Sequence, residues 1–333
     1  MQTDNNPIRK YVFVCGLQRS GTSVLARNIG RLRNCTAFRN TGVLQDEGQY
    51  LQDVYATDHA CGGTGRFGFN PRAHLTETSD LLTPENLVRL KASWERYWDP
   101  AKSIRIEKTP KNLLMTRFLQ AAFPNSYFVV IKRHPVAVSM ANQRWKVSMA
   151  SLRMGFEHWL HCYGLYEEDK KHIGRLYELR YEDYINDPSR YHREIAEFIG
   201  AEVFEDEMEE LAGAHNKKYF DRWRKLVTDS PFRQYYRYLA RKYESSLELH
   251  GYSLTKIPGT DHQLIPEGEG ASALVGELYC RVADMHAFGW RLATRTAGLT
   301  RRTLRRMLPA SVKKKLKLRY GQKEEQRVKR SLA

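Results

Sequence analysis

The sequence GLQRSGTS, Gly16 to Ser23, follows the apolar run YVFVC and precedes a segment with helical spacing. It fits the phosphate-loop pattern G-x-x-x-x-G-K-[ST] at every fixed position except one, because Thr22 stands where that pattern has lysine. In such a loop, backbone N–H groups and a helix N-terminus hold an anion, and the lysine neutralises its outer phosphates. The stretch therefore predicts a strand, an anion-binding loop and a helix, and it leaves open which anion binds without that lysine.

Further strand-like runs alternate with helical patterns along the chain. A helix is expected to begin near Gly21, and another after Arg133, where Pro135 suits a first helical turn. Such alternation is typical of a parallel sheet with crossover helices. The sequence therefore predicts an α/β fold of three layers, α/β/α, with a central parallel sheet of about five strands, like that of the P-loop-containing nucleotide hydrolases. The expected strands are YVFVC at 11–15, NCTAF at 34–38, SIRIE at 103–107, SYFVVIK at 126–132 and RLYELRY at 175–181.

Cations follow the predicted strands at the end where ligands bind. Ligands of open parallel sheets lie outside the carboxyl ends of the strands, so GLQRSGTS, EKTP at 107–110 and KRHP at 132–135 are expected along one edge. A kinase or nucleotidase would need an acid there to organise Mg²⁺, whereas the fourth strand ends in Lys and Arg. Arg19 can clamp a tetrahedral anion above the loop. The site is therefore expected to bind an anionic ligand without a metal.

The net charge of +16 is distributed unevenly. Residues 291–333 contain fifteen Lys or Arg and two acids, a local charge of +13 that leaves +3 for the rest of the chain. Basic residues interleaved with Leu and Val in this tail suit an interfacial helix on an anionic membrane surface, and a disordered solubilising tail is the alternative. No aromatic stacking pattern accompanies the charge, which argues against nucleic acid as a partner.

The compartment is predicted from apolar stretches and cysteines. No apolar stretch is long enough to cross a bilayer, and the opening MQTDNNPIRK lacks a signal-peptide core. The five cysteines are scattered and show no C-x-x-C spacing, so neither a disulfide framework nor a zinc site is expected. We therefore expect a cytoplasmic protein, which the basic tail would attach peripherally to the inner face of the membrane.

Four motifs resemble those of the sulfotransferases that use 3′-phosphoadenosine 5′-phosphosulfate (PAPS). RSGTS at 19–23 is similar to their 5′-phosphosulfate loop, and RHP at 133–135 to the start of their 3′-phosphate motif. EKTP resembles the E-K-[ST]-P segment of the carbohydrate sulfotransferases, and RYEDYINDP at 180–188 resembles their R-Y-E-D-x-x-x-D-P segment. The motifs follow the family's order across residues 11–190, and the fit is closest to a bacterial-type branch.

This resemblance implies where PAPS would bind. Arg133 would hold the 3′-phosphate, but the family's second ligand, a serine eight residues later, is Ala141 here. Ser139 is the nearest substitute, and two residues turn a helix by about 200°. Tyr181 would pack under the adenosine, or else is a core tyrosine. The 5′-phosphosulfate would lie on Arg19, Ser20, Gly21, Thr22 and Ser23.

The resemblance also implies in-line attack of an acceptor hydroxyl on sulfur, assisted by a base. Glu47 is the preferred base because its longer arm reaches further from a loop than that of Asp46, and His59 and His74 are the next alternatives. Cations would stabilise the charge that gathers on the departing 5′-phosphate oxygen, so no divalent metal is required. The expected catalytic residues are Glu47, Arg19 and Lys108.

The resemblance finally implies a domain plan and an acceptor. Residues 1–290 would form one sulfotransferase domain, with a PAPS-binding core at 11–190 and a helical acceptor-side region at 190–290, followed by the basic amphipathic tail at 291–333. Because EKTP belongs to glycan-type enzymes, the expected acceptor is a hydroxyl of a carbohydrate or glycolipid. The alternatives are a P-loop nucleotide kinase or NTPase, and a non-catalytic binding protein on the same scaffold.

Overall fold

Five parallel strands form one sheet in the computed structural model, which describes residues 9–143, 151–203, 214–256, 262–265 and 272–307. The strands are β1 (Lys10–Cys15), β2 (Cys35–Ala37), β3 (Ile104–Lys108), β4 (Ser126–Lys132) and β5 (Leu176–Arg180). Their order across the sheet is β2-β3-β1-β4-β5, and every neighbouring pair is parallel. The predicted strands are confirmed to within one residue at each end, and the predicted fold class is confirmed with them.

Helices cover both faces of this sheet, as the strand residues require. In β1, Val12 and Val14 point into one apolar core with α1, α6 and α7, while Phe13 and Cys15 point into a second core with α2, α3, α4 and α5. Alternation of buried side chains on both faces gives the three layers. These helices are α1 (Thr22–Ile29), α2 (Pro84–Glu95), α3 (Thr116–Ala122), α4 (Pro135–Asn142), α5 (Leu152–Asp169), α6 (Tyr181–Asn186) and α7 (Pro188–Ile199).

Three further helices extend the second core. They are α8 (Ala214–Thr228), α9 (Arg233–Glu248) and α10 (Ala273–Met307). Trp223 of α8 and Leu239 of α9 are buried in the same core as Trp159 of α5. Position 291, where we expect the basic tail to begin, lies inside α10, and residues 308–333 of the tail lie outside the described residues. In the described part of the chain, every helix is too short or too polar to span a membrane.

The strand order places the predicted motifs at one edge. Between β3 and β4 the chain crosses β1, so the direction of strand addition reverses beside β1. Crevices at such a reversal bind the ligands of open α/β sheets at their carboxyl edge. Val14 pairs with Lys108 and Cys15 with Val130, so β1, β3 and β4 end at nearly the same height. GLQRSGTS, EKTP and KRHP therefore meet at this edge, as predicted.

Candidate active site

The loop between β1 and α1 has three residues with left-handed backbone conformation. They are Gly16 (φ 144°), Arg19 (φ 73°) and Gly21 (φ 95°). A Cβ added to Gly16 would lie 2.3 Å from the carbonyl oxygen of Ile131, and one added to Gly21 would lie 2.7 Å from the ring of Tyr181. Both positions therefore require glycine. No side chain caps α1, so its first N–H groups are left for an anion.

The polar side chains of this loop differ in exposure. Arg19 is exposed and extends from the loop towards solvent, whereas Ser20 and Thr22 are buried. Ser23, on the first turn of α1, lies 3.5 Å from the amide oxygen of Gln45. The left-handed backbone at Arg19 directs its long guanidinium side chain away from the loop, while the side chains of Ser20 and Thr22 are buried. A strained position of this kind marks a candidate ligand site.

Glu47 and Lys108 form a buried ion pair beside the loop. The Lys108 Nζ donates to Glu47 Oε1 at 3.0 Å and to the carbonyl oxygen of Gln45 at 3.2 Å. Gln49 donates to the other Glu47 oxygen at 2.7 Å. Burial raises the pKa of the Glu47 carboxyl, and Lys108 and Gln49 offset part of that rise. Through Gln45, which contacts both Ser23 and Lys108, the pair is connected to the anion-binding loop.

Glu107 points to the opposite face of β3 from Lys108 and organises the segment that carries Glu47. Its carboxyl accepts hydrogen bonds from the backbone N–H of Gly48 at 2.9 Å, from the Thr109 hydroxyl at 2.6 Å and from the Asn112 side chain. Burial raises the pKa of Glu107 to about 7, against the lowering effect of these donors. The acid of EKTP is therefore a structural anchor, and its lysine is the residue that reaches the candidate site.

The other three candidate bases have different surroundings. Asp46 accepts hydrogen bonds from the backbone N–H and the hydroxyl of Thr41, at 2.8 and 2.6 Å, which hold it in a turn. His74 pairs with the buried Asp169 at 2.9 Å. His59 is largely exposed and lies 2.6 Å from the Tyr50 hydroxyl. Among the four, Glu47 is the one that contacts Lys108 in the structure.

Arg133 follows β4 in a turn that its neighbours fix. His134 is buried, its Nδ1 accepts from the backbone N–H of Val136 at 3.2 Å, and its Nε2 lies 3.1 Å from the Ser253 carbonyl. These contacts assign the proton to Nε2, and burial lowers the pKa of His134 to about 3. The Trp159 indole donates to the Arg133 carbonyl at 3.0 Å. His134 is thus a buried helix cap with a packing role.

The Arg133 guanidinium is buried and its hydrogen-bond acceptors are neutral, while the Glu182 carboxyl beside Asn216 is the nearby negative charge. It donates to the side-chain oxygen of Asn216 at 2.9 and 2.5 Å and to the carbonyl of Arg19 at 2.5 Å. Its centre lies 4.1 Å from the centroid of the Tyr181 ring, the same ring that packs on Gly21. Tyr181 therefore supports both the arginine and the loop. Arg133 and the loop, predicted as the two ends of one ligand site, are directly hydrogen-bonded.

Ser139, the proposed second 3′-phosphate ligand, lies against α5. A Cβ added to Gly155 would lie 2.6 Å from the Ser139 Oγ, and both residues line a small cavity with Thr64 and His158. Its Oγ is buried without a hydrogen-bond partner in the described residues. The structure thus groups Ser139 with α5, while Arg133 is grouped with α8. Its role as a phosphate ligand stays a prediction.

Two residues of this edge were missed by the sequence analysis. Asn216 is contributed by α8 and positions Arg133, and its amide N–H₂ donates to Glu182 at 3.1 Å. Gln45 contacts Ser23 through its side-chain oxygen and Lys108 through its backbone carbonyl. Gln45 could have been found from its place beside the predicted base, but nothing in the sequence around Asn216 matches a motif.

Metal ions and apolar molecules are two other kinds of ligand that the described ranges could bind. No group of three or more His, Cys, Asp or Glu side chains in them could hold a metal ion. A cavity of about 700 Å³ lies between α4, α5, α8, α9 and α10, and its lining includes Met140, Leu226, Tyr235 and Val282. None of the candidate catalytic residues lines this apolar cavity. The candidate site is therefore the carboxyl edge of the sheet.

Comparison with known proteins identifies the family of this chain. Residues 11–206 match the model of the sulfotransferase family. This match covers more than half of the chain, so the chain belongs to that family, whose members use PAPS, and it is a sulfotransferase. No curated protein sequence matches the chain.

Solved sulfotransferase structures show a distant likeness. The sulfotransferase domain of the Synechococcus PCC 7002 olefin synthase is 16% identical, with 73% of this chain and 97% of that chain covered and a TM-score of 0.43. Sulfotransferase STF1 from Mycobacterium tuberculosis H37Rv is 13% identical, with 72% and 78% covered and a TM-score of 0.42. At this distance the family assignment depends on the sequence match.

Proposed function

We propose that this sulfotransferase transfers the sulfuryl group of PAPS to a hydroxyl of a carbohydrate or glycolipid, with Glu47 as the base. The observation that carries the proposal is the buried pair of Glu47 and Lys108, whose Nζ and Oε1 are 3.0 Å apart beside the anion-binding loop. A base has to lie within hydrogen-bond reach of the acceptor proton. Of the candidate bases, Glu47 combines a raised pKa with a catalytic cation as its partner.

The residues present fit the two anionic ends of PAPS. The uncapped start of α1 and the hydroxyls of Thr22 and Ser23 suit the 5′-phosphosulfate, with the exposed Arg19 above them. Arg133 suits the 3′-phosphate because the groups that hold its guanidinium are neutral. Its planar fork can bind two oxygens of one phosphate.

The proposed transfer moves one proton and one sulfuryl group. The acceptor hydroxyl gives its proton to a Glu47 oxygen while its own oxygen bonds to sulfur, and the bond from sulfur to the 5′-phosphate oxygen breaks. Once Glu47 is protonated it no longer neutralises Lys108, so the Lys108 ammonium, still protonated, can stabilise the departing oxygen together with Arg19. The shared lysine thus couples proton transfer to stabilisation of the leaving group.

The preferred acceptor class is a carbohydrate or glycolipid. The support is the resemblance of Glu107-Lys108-Thr109-Pro110 to the glycan-type enzymes. The helical region after residue 190 supplies Asn216, which contacts Arg133, and it also packs in the second core. Radioactive sulfate transfer from PAPS to glycan and glycolipid acceptors tests this class. Transfer only to phenols or other small alcohols would contradict it.

A thermal-shift experiment tests the donor. We expect 3′-phosphoadenosine 5′-phosphate (PAP) to raise the melting temperature more than ATP or ADP with Mg²⁺, and Arg19→Ala or Arg133→Ala to reduce the effect. A larger shift with ATP and Mg²⁺ would favour a nucleotide kinase or NTPase. A PAP shift without sulfate transfer to any acceptor would favour a non-catalytic binding protein.

A further inference from the structure

The helix α10 carries an exposed apolar face. Its residues recur every three or four positions, and each is between 55% and 83% exposed. With about 100° per residue, this spacing keeps them on one side of the helix. We call this side the apolar face; it consists of Leu274, Leu278, Val282, Met285, Phe288 and Leu292. Six large apolar side chains in one row on a helix surface indicate a binding surface.

The opposite side of α10 is already occupied by the body of the protein. Cys280 and Ala287 are buried on that side. Glu277 accepts a hydrogen bond from the Tyr238 hydroxyl at 2.6 Å, and Asp284 accepts one from Arg153 at 2.8 Å. These contacts fix the rotation of the helix about its axis. The apolar face is therefore held outward.

The charge of the chain indicates what covers this face. The face ends at Leu292, where the segment 291–333 with its local charge of +13 begins. An anionic lipid surface would bury the apolar face in its outer layer and attract the basic segment at the same time. A second copy would bring two such segments together, and their repulsion opposes the pairing. The combination favours lipid.

The surface beside the helix also suits lipid. Val282 belongs to the apolar face and also lines the cavity of about 700 Å³. Phe232, an exposed residue directly before α9, lines the same cavity. The apolar surface therefore continues from the helix into the body of the protein. A flexible hydrocarbon chain can follow such a surface, whereas a rigid partner helix would contact only the row on α10.

We propose that α10 binds an anionic membrane surface in the plane of the lipid headgroups, with the apolar face inserted and the positive charge of the sequence 291–333 increasing the attraction to anionic lipid. The row from Leu274 to Leu292 is about 27 Å long at 1.5 Å per residue, enough for a helix that lies along the surface. This proposal does not depend on the proposed function, because it requires no residue of the sheet edge.

Vesicle sedimentation of the full-length protein tests the proposal. We expect binding to phosphatidylcholine vesicles that contain phosphatidylserine, and weaker binding to phosphatidylcholine alone. The double substitution Leu278→Ser and Met285→Ser should lower the vesicle partition coefficient by about tenfold or more. Val88→Ser, which changes an equally exposed residue of α2, is the matched control and should bind like the original chain.

Two further measurements make the outcome decisive. Lys313→Glu with Lys314→Glu should weaken binding to the anionic vesicles and leave binding to phosphatidylcholine unchanged. The PAP-induced thermal shift should be the same in all variants, which shows that they fold. The proposal is overturned if the original chain fails to bind anionic vesicles or if Leu278→Ser with Met285→Ser binds equally well. It is also overturned if sedimentation equilibrium shows that the face forms a dimer instead.

Discussion

Lys108 and Arg133 are cations at the same edge of the sheet, and their partners differ. Lys108 contacts the Glu47 carboxylate at 3.0 Å. The Arg133 guanidinium donates to the amide oxygen of Asn216 and the carbonyl of Arg19. A carboxylate partner neutralises a buried cation, whereas amide and carbonyl oxygens satisfy its hydrogen bonds and leave its charge. The function proposed above accordingly assigns proton transfer to the position of Lys108 and Glu47, and anion binding to the position of Arg133.

The largest effect, on kcat, is expected when Glu47, the carboxylate partner of Lys108, is replaced. Glu47→Gln keeps the size of the side chain but removes the proton acceptor, so kcat should fall by about 10²–10⁴-fold. PAP affinity should stay within a few-fold, since Glu47 has no contact with Arg133 in the structure. Steady-state kinetics and PAP titration measure the two effects. If Asp46→Asn lowers kcat more than Glu47→Gln does, Asp46 is the base.

The second effect concerns the anchor behind Glu47. Because the pKa of Glu107 is raised from 4.5 to about 7 in the folded protein, its stabilising contribution is complete below pH 4.5 and is lost as the pH rises to about 7. The loss amounts to about 3 kcal/mol at 1.36 kcal/mol per pH unit. Glu107→Gln mimics the protonated acid and can donate to the Asn112 Oδ1, which has no hydrogen-bond partner among the described residues. Between these pH values, the free energy of unfolding should therefore fall less in Glu107→Gln.

Urea unfolding of both proteins below pH 4.5 and above pH 7 measures this difference. The other titrating groups are common to the two proteins and cancel in the comparison. An identical pH dependence in Glu107→Gln would show that the pKa of Glu107 is the same in the folded and in the unfolded protein, and would contradict this prediction.

The third effect, on PAP affinity, is expected when Arg133 is replaced. Arg133→Ala should weaken PAP binding by about 10–150-fold, the range for a lost hydrogen bond to a charged group. AMP lacks a 3′-phosphate, so it should lose less affinity than PAP, and its loss should reflect the missing hydrogen bond from Arg133 to the Arg19 carbonyl. Lys132→Ala is the matched control, because Lys132 is the adjacent residue and pairs with Glu167. Isothermal titration measures all three proteins, and an equal loss of AMP affinity would contradict a 3′-phosphate role.

The smallest effect, also on PAP affinity, tests whether the different partners of Lys108 and Arg133 matter. Asn216→Asp gives Arg133 a carboxylate partner like that of Lys108, so the arginine should lose part of its attraction for an anion, and PAP affinity should fall by about tenfold. Asn216→Ala removes the partner without adding charge and should cost less. Unchanged PAP affinity in Asn216→Asp would show that neutral partners are not what preserves the charge of Arg133.

The sequence predicted the fold and most of the edge because both depend on local patterns. β4, Ser126–Lys132, is a run of β-branched and aromatic residues and matches its predicted bounds. Arg19, Lys108 and Arg133 come together because parallel strands end at one edge. These predictions required only the pattern of apolar residues along the chain and the parallel direction of the strands.

The remaining contacts could not be predicted because they join distant parts of the chain. Asn216 reaches Arg133 across 83 positions. The contact of Ser139 with Gly155 depends on how α4 packs on α5. The different roles of Glu107 and Lys108 depend on which face of β3 each side chain occupies. The motif EKTP alone does not show which of the two faces the loop. The Asn216 contact, the Ser139 contact and the orientation of Glu107 and Lys108 are all set by the three-dimensional packing.

The hydrogen bond from Arg133 to the Arg19 carbonyl spans 114 positions in sequence. The conformation of GLQRSGTS is held by β4 through Ile131, by the turn after β4 and by the Tyr181 ring after β5. The octapeptide therefore does not encode its own shape. In another strand–helix unit the octapeptide would keep its glycines but lose the support for Arg19. Transfer of the motif to another protein therefore also requires β4 and β5 with the residues that follow them.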